Sequence, residues 1–529
     1  MFLNPKEILE EYKKGSNFKA SLGSKGIYEQ TKINERFFIG DQWYGAKCGN
    51  DRPLVRHNII KRIGNYKMSQ ILGSPISVNY SADGVPTESF DSKTFEISGD
   101  NPNNSEINFI MSAFDSYYKT TSERVKLIDL NERILRKAYI SGSAVLYTYW
   151  DASVPTGLYS DKDKKVKLNG DISCEVLDIE DIVFGDPFCE ELQKQPFIII
   201  GSNQDVEAVT REARLHGADI SRLSAINDGA RDSKIKVYTK LYKEYKQGGD
   251  YTIKCVKVTE NAVVREAFDT NLRLYPLAIF TWDRKNNLIY GESEITYLIP
   301  NQIAINRMIT ANVWSGMTTG MPIMLVNGDT VTDKITNEPG QIIKVYGNNE
   351  DVEGAVKYVT PQSFAEEFDK SINSLIENTL TQSGANEVAL GDSKADNASA
   401  LAAMRDAALM PLQIIKNRFY TFTEDVARIW ADFWITHYGN RYLKTKDKNG
   451  TRYISFDADR YKELVINTRV DVSNTAVYNE REITQMLITL FEKGIIDKTQ
   501  LLTRLPDGIV PNLKGILLDC EGERENERI

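Results

Sequence analysis

The chain has 529 residues, and its 65 Lys and Arg against 74 Asp and Glu give a net charge of −9. Its contents of 41% hydrophobic, 26% charged and 10% aromatic residues are those of a globular protein, and they exclude a disordered, collagen-like or disulfide-scaffold chain. Because a single core stops growing at about 250–300 residues, this length predicts several domains.

The first residues, MFLNPKEILEEYKKG, predict an amphipathic helix that is capped by Asn4 and opened by Pro5. They lack the basic start and apolar core of a signal peptide. The five cysteines form no CxxC pair, which favours free thiols in a reducing compartment. We therefore expect a protein that is made and kept inside a cell.

Further helices are expected over residues 27–38, within residues 52–73, and over residues 107–118 and 125–139, where apolar residues recur at steps of three or four. The last of these helices carries Ile128, Ile134, Leu135 and Ala138.

Between residues 142 and 275 the apolar period changes to two, as in AVLYTYW, PFIIIG and KIKVYTKLYKEYK. One short helix, DVEAVTREARLHG, interrupts these strands. The block 1–290 is therefore predicted to be α+β.

Residues 291–317 are helical in pattern, with Pro300 placed to kink the helix. Residues 319–361 contain strand segments such as PIMLV and VKYVTP, and a second helix is expected over 363–380. A roughly forty-residue insert thus separates two helices.

Small and polar residues fill 381–400, which predicts a flexible loop. A helix of about forty residues should start near Leu401 and bend at Pro411. A hairpin with an Asn449-Gly450 turn signal, a strand in LVINTRVDV and two short helices then complete the chain.

The stretch from Met308 to Gly328 has no charged residue and is long enough to span a bilayer. Its Asn, Thr, Gly and Pro residues make it too polar and too broken for a membrane helix. Something other than lipid must therefore cover its apolar side chains.

Enzyme signatures are mostly absent from the sequence. GDQWYGAK is the nearest string to a P-loop and lacks the final Ser or Thr, and the three histidines form no zinc motif. We therefore expect no catalytic residues, no metal and no cofactor, although the many acidic residues leave a two-carboxylate nuclease open as an alternative.

The order of several strings resembles the portal proteins of tailed bacteriophages, the siphophage type in particular, over nearly the whole chain. These strings are RFFIGDQW with RPLVRHNIIK, YISGSAVLYTYWD, EDIVFGDP, IYGESEITYLIPNQIAINR, ALGDSKADNASALAAMRD and FTEDVARIWADFW. The resemblance implies an α+β multi-domain fold and a ring of identical subunits, commonly a dodecamer, at one capsid vertex. Double-stranded DNA would be packaged through this ring and later ejected through it.

The resemblance also assigns parts to the chain. They are a wing (1–290), a stem helix (291–318), a clip (319–361), a second stem helix (362–380), a tunnel loop (381–400), a long kinked wing helix with a hairpin and strand (401–473) and a crown with a charged tail (474–529). Partners implied in this way are the major capsid and scaffold proteins, the large terminase subunit and the head-tail adaptor. The protein would be assembled in the host cytoplasm and reside in the virion, with no membrane association.

A net acidic chain suits DNA passage better than tight DNA binding, because every strong phosphate contact slows sliding. Channel-facing candidates are Lys394, Ser393 and Asn397 in the loop and Lys370 on the preceding helix, although Lys394 could equally solvate the loop. Lys334 and Lys344 are clip candidates and could instead lie outside, against partner proteins.

Three apolar residues of the uncharged stretch are expected between subunits, namely Trp314, Met317 and Ile323. The alternative to a portal is another capsid or head-tail joining protein, or a metal-dependent nuclease.

Overall fold

The computed structural model describes residues 4–46, 53–73, 76–82, 102–160, 165–168, 170–218, 234–246, 249, 251–319, 323–329, 331, 334, 344–346, 356–359, 366–385, 410–438, 440–447, 450–457, 466–472, 480–497 and 501–502. They form a mixed α+β structure, as predicted. Contacts divide the chain into two units. The first is Met1–Thr31, Tyr66–Glu294 and Leu409–Ile529, and the second is Lys32–Asn65 and Ile295–Ala408.

The helices of the described residues follow in chain order: α1 (Pro5–Ser21), α2 (Gly26–Ile39), α3 (Ile59–Leu72), α4 (Pro102–Val125), α5 (Leu127–Ser141), α6 (Val206–Leu215), α7 (Glu294–Thr319), α8 (Glu366–Gln382), α9 (Gln413–His437) and α10 (Glu480–Glu492).

The strands are β1 (Ile76–Ala82), β2 (Ser143–Asp151), β3 (Pro155–Ser160), β4 (Lys165–Leu168), β5 (Asp171–Asp178), β6 (Ile182–Phe184), β7 (Phe197–Asp205), β8 (Lys234–Tyr245), β9 (Tyr251–Val258), β10 (Val263–Asp269), β11 (Leu277–Thr281), β12 (Asp283–Lys285), β13 (Leu288–Glu292), β14 (Ile323–Val326), β15 (Val356–Val359), β16 (Asn440–Asp447), β17 (Gly450–Asp457) and β18 (Ile466–Val472).

The largest sheet of the first unit has five antiparallel strands in the order β10-β9-β8-β7-β6. Successive residues of β7 point to opposite faces, and both faces are buried. Ile198 and Ile200 pack in one cluster with residues of β2, β5 and β11, whereas Ile199 packs in a second cluster with α1. Burial on both sides explains why PFIIIG is continuously apolar.

Helix α1 lies against this sheet and starts as the sequence predicts. Asn4 Oδ1 accepts a hydrogen bond from the Lys6 amide at 3.2 Å, and Pro5 occupies the first turn. Gly15 permits a close approach to β6, because a Cβ there would lie 2.1 Å from Val183 Cγ1.

Lys19 fastens the end of α1 to a 3₁₀ turn at Ile179–Asp181. The side chain is fully buried, and its Nζ donates to the carbonyls of Ile179 (3.2 Å), Glu180 and Ile182 (2.9 Å). Burial lowers the pKa of Lys19 to about 7, because the charged form loses its hydration.

The second sheet of the first unit pairs β11, β2 and β5, and α9 packs on it. Phe419 and Phe422 of α9 lie edge-on to Phe280 of β11, at 5.7 and 6.0 Å between ring centroids. Further along α9, Asp432 Oδ2 accepts from the backbone amides of residues 273 and 274 at 2.8 and 3.1 Å. This carboxylate therefore holds the loop between β10 and β11 against α9.

An aromatic cluster joins α4, α9 and β1. Trp434 is fully buried, and its ring centroid lies 5.8 Å from that of Phe114 and 6.1 Å from that of Tyr80. Tyr80 also donates to the Ala427 carbonyl at 3.0 Å. The strand partner of β1 is β18, almost four hundred positions later in the chain, with Ile76 opposite Val472.

Three details differ from the sequence predictions. The expected bend at Pro411 is replaced, in the described residues, by a 3₁₀ turn at Met410–Leu412 that precedes α9, because the missing N–H and fixed φ of proline suit a first turn. Residues 401–409 lie outside the described residues. In the hairpin, Asp447 pairs with Gly450, so Gly450 belongs to β17 and not to the turn.

The third difference concerns α5, where Ile128 is 81% exposed while Leu127 and Leu130 are buried.

None of the helices in the described part of the chain contains a stretch long and apolar enough to cross a membrane.

Candidate functional site

The candidate site is the helix pair of the second unit. Two side-chain hydrogen bonds join α7 to α8: Asn301 Nδ2 donates to Thr379 Oγ1 at 3.2 Å, and Asn312 Nδ2 donates to Asp369 Oδ1 at 2.6 Å. Because the later residue of α7 meets the earlier residue of α8, the two helices run in opposite directions.

Between these helices in sequence lie two short strands. β14 and β15 pair antiparallel, with Ile323 opposite Val359 and Val326 opposite Val356. An isolated bridge joins Val331 to Val345. The predicted strands at each end of the insert therefore pair with each other, which closes the insert where it leaves and rejoins the helices.

Helix α7 uses a row of uncharged polar side chains to hold the preceding segment of the second unit. Gln302, Asn306 and Thr310 recur at steps of four and so share one helix face. Asn306 Oδ1 accepts from the His57 amide at 3.0 Å, and Thr310 Oγ1 accepts from the Val55 amide at 3.2 Å.

Gln302 forms hydrogen bonds to three residues of the preceding segment. Its Oε1 accepts from the amides of Ile59 and Ile60 at 3.0 and 3.3 Å, and its Nε2 donates to the His57 carbonyl at 2.6 Å. These two amides are the first of α3, which have no partner within their own helix. A side chain of α7 therefore caps the N-terminus of α3.

The second half of α7 is different in character. From residue 308 to residue 317 no side chain is buried and none is charged. Val313 is 40% exposed and Met317 is 51% exposed, and on β14 Leu325 is 52% exposed. Exposed apolar residues that group into a large patch mark an interaction site more often than a free surface.

The described residues include several of the predicted site residues. Trp314 is partly exposed and Met317 exposed on the second half of α7, and Ile323 is the first residue of β14. Lys370 is exposed on α8, next to the Asp369 that binds α7. The remaining predicted residues fall into two groups: Lys334 and Lys344 are exposed near the Val331–Val345 bridge, and Ser393, Lys394 and Asn397 lie outside the described residues.

The sequence reasoning missed the polar row on α7. Thr310 and its neighbours counted only as residues too polar for a membrane. The available signal was the spacing of Gln302, Asn306 and Thr310 by four along the helix.

Several lysines of β8 and β9 in the first unit are paired and offer little free positive charge. Lys240 Nζ lies 2.5 Å from Glu11 Oε2, and Lys257 Nζ lies 2.7 Å from Glu212 Oε1. Lys243 donates to the Gln193 carbonyl. These cations stabilise the fold through partners on α1, α6 and a neighbouring turn. A phosphate would have to displace those partners in order to bind the lysines.

Side chains with nucleophilic or metal-binding chemistry are dispersed. Burial raises the pKa of both Cys174 and Cys255 to about 11, so both are thiols at neutral pH. His437 stacks on Trp150 at 4.7 Å between ring centroids, and burial lowers its pKa. Within the described ranges, no three His, Cys, Asp or Glu side chains come together as a metal site would require.

Comparisons with known proteins add no family. No protein-family model matches the sequence, and no curated protein matches it significantly.

Proposed function

We propose that this chain is the non-enzymatic subunit of a homo-oligomeric portal ring at one vertex of a tailed-bacteriophage capsid. Double-stranded DNA would pass through the ring during packaging and ejection. The observation that carries this proposal is residues 308–317 of α7, which are uncharged, carry several large apolar side chains and include no buried side chain.

Exposed apolar residues on this scale need a cover, and a second copy of the same chain provides one. In a ring, the face of α7 that carries Val313 and Met317 on one subunit would pack against the helix pair of the next. The absence of Asp, Glu, Lys and Arg from 308–317 supports this, because a charge buried between subunits without a partner would oppose assembly.

The charge balance supports passage of DNA over retention of DNA. A net charge of −9 per subunit disfavours extensive phosphate binding, whereas a single exposed cation is repeated once in every subunit. Lys370, exposed on α8, would then form one ring of positive charge. The insert with Lys334 and Lys344 would contact the large terminase subunit and later the head-tail adaptor, and the outer surface would meet capsid and scaffold proteins.

Negative-stain microscopy of the purified chain tests the ring. We expect uniform rings with a central hole, commonly of twelve subunits. A stable monomer at micromolar concentration would contradict a ring that forms without other proteins. Assays for ATP hydrolysis and for DNA cleavage with Mg²⁺ or Mn²⁺ separate the proposal from the nuclease alternative, which predicts activity.

Variants of α7 test the interface itself. Met317→Asp and Trp314→Asp should prevent ring formation, because each would bury an unpaired carboxylate between subunits. Met317→Leu is the matched control, since it preserves size and apolar character and should form normal rings. Since Met317 is 51% exposed in the single chain, Met317→Asp should still fold, as measured by circular dichroism. Intact rings from this variant would place Met317 away from the interface.

The predicted tunnel loop is tested by packaging. Lys394→Glu, or deletion of residues 393–397, should leave rings assembled and reduce the amount of DNA packaged in infected cells. Normal packaging by both variants would remove the loop from the transport function.

A further inference from the structure

An open cleft of about 410 Å³ lies within the second unit, between residues 33–46 and the middle of α7. Its walls include the side chains of Arg36, Trp43, Tyr44 and Arg307. Arginine, tryptophan and tyrosine are the residues that most often dominate binding energy at protein interfaces. None of the roles proposed above uses this cleft.

Hydrogen bonds connect several residues that line the cleft. Asn306 Nδ2 donates to Gln42 Oε1 at 2.5 Å, and Gln42 Nε2 donates to the Phe37 carbonyl at 3.1 Å. Trp43 Nε1 donates to the Val55 carbonyl at 3.0 Å. These polar groups therefore already have partners within the chain and do not need a ligand to pair with.

The two arginines are the cations of the cleft. Arg36 is partly exposed and stacks on Tyr44, with its guanidinium carbon 3.6 Å from the ring centre. Arg307 is exposed on α7. Among the residues that the structure describes, neither arginine forms an ion pair.

The composition of the cleft favours a carboxylate ligand over a phosphate backbone. Asp41 also lines the cleft, so its three charged side chains sum to only +1, whereas nucleic-acid surfaces use many cations together. Arginine binds a carboxylate through two parallel hydrogen bonds. Phe37 and Ile303 add an apolar wall that suits a large apolar side chain.

We infer that this cleft binds a peptide segment of a partner protein in which one large apolar side chain is flanked by acidic residues. The apolar side chain enters between Phe37, Trp43 and Ile303, and the flanking carboxylates pair with Arg36 and Arg307. All of these residues belong to one subunit. The inference therefore stands or falls separately from ring formation.

Fluorescence anisotropy with the full-length chain tests this inference. The probe is a fluorescein-labelled peptide, GDEFEDG, and it is compared with GDEGEDG, with GKKFKKG and with a labelled DNA duplex. We expect GDEFEDG to bind more tightly than the other three probes and to bind less tightly as salt is raised.

Arg307→Glu should weaken binding of GDEFEDG by about tenfold or more, the loss expected for a reversed charge-assisted contact. Arg56→Glu is the matched control, because Arg56 is an exposed arginine of the same unit that does not line the cleft. Both sites are exposed, so both variants should fold, as circular dichroism will show.

Several outcomes would overturn the inference. They are no saturable binding of GDEFEDG, equal binding of GDEGEDG, or an equal loss in the Arg56→Glu and Arg307→Glu variants. DNA binding that is lost in Arg307→Glu while peptide binding is unchanged would assign the cleft to nucleic acid.

Discussion

Replacement of Gln302 by leucine tests whether one side chain of α7 holds the N-terminus of α3. Leucine fills nearly the same volume but has no polar atoms, so the Ile60 amide would lose its acceptor, and the Ile59 amide would keep only its 2.9 Å hydrogen bond to the His57 carbonyl. The Gln302 side chain is 1% exposed, and both hydrogen bonds are buried, so water cannot replace it without a rearrangement.

The expected cost follows from these contacts. A buried amide without a partner costs about 1–3 kcal/mol, and the loss of a helix cap, which is the same loss measured on whole helices, costs about 0.5–2 kcal/mol. Since the bond to Ile60 is long at 3.3 Å and Ile59 keeps its bond to the His57 carbonyl, we expect a total of about 2 kcal/mol. Amides at the start of α3 should then exchange hydrogen about thirtyfold faster.

Hydrogen exchange followed by mass spectrometry measures this effect on peptides that cover residues 53–73. Asn312→Ala is the control, because its hydrogen bond to Asp369 is exposed and should cost well under about 1 kcal/mol. If exchange at the start of α3 is the same in Gln302→Leu as in the wild type, Gln302 fills space and does not cap α3.

Three further predictions concern the first unit. Burial lowers the pKa of Lys19 to about 7 in the folded chain, whereas its pKa in the unfolded chain is about 10.4. Between these two values the unfolded chain binds more protons than the folded chain, so the free energy of unfolding rises with pH between about 7 and 10. The free energy of unfolding of the wild type relative to Lys19→Met should therefore increase from pH 7 to pH 9 in guanidinium titrations, by at most about 1.4 kcal/mol per pH unit, and a constant difference would contradict the lowered pKa. Gly15→Ala should destabilise the protein by about 1–3 kcal/mol, because its Cβ would meet Val183 at 2.1 Å; an unchanged melting temperature would show that α1 can shift without cost. Asp432→Ala should cost about 2–3 kcal/mol by leaving the amides of residues 273 and 274 without an acceptor, whereas Asp432→Asn, which retains an acceptor oxygen, should cost less than half as much in the same titration.

Local sequence patterns were sufficient for the type of most elements. Asn4 and Pro5 start α1 because a cap and a first-turn proline act within a few residues of each other. Alternation in β8 and the continuous apolar run in β7 likewise predicted strands, since the side-chain period of a strand is local geometry. The two helices around the insert, α7 and α8, could be predicted for the same reason.

Which partners these elements meet was decided only by the tertiary structure. Residues 32–65 belong to the same unit as 295–408, although sequence order places them in the block 1–290. Lys240 and Lys257 pair with Glu11 and Glu212, which no local pattern relates to them. Such contacts depend on how distant segments close on each other, and pairing over a long separation leaves no periodic trace in the sequence.

The candidate site shows the same division. The sequence by itself determined that residues 308–317 are uncharged and carry several large apolar side chains, and hence that something must cover those side chains. Only the structure decided that none of them is buried within the described chain, and that the face of α7 with Gln302, Asn306 and Thr310 lies against residues 53–60. The reason is physical: hydrophobicity is a property of each residue, whereas burial is a property of its neighbours in space.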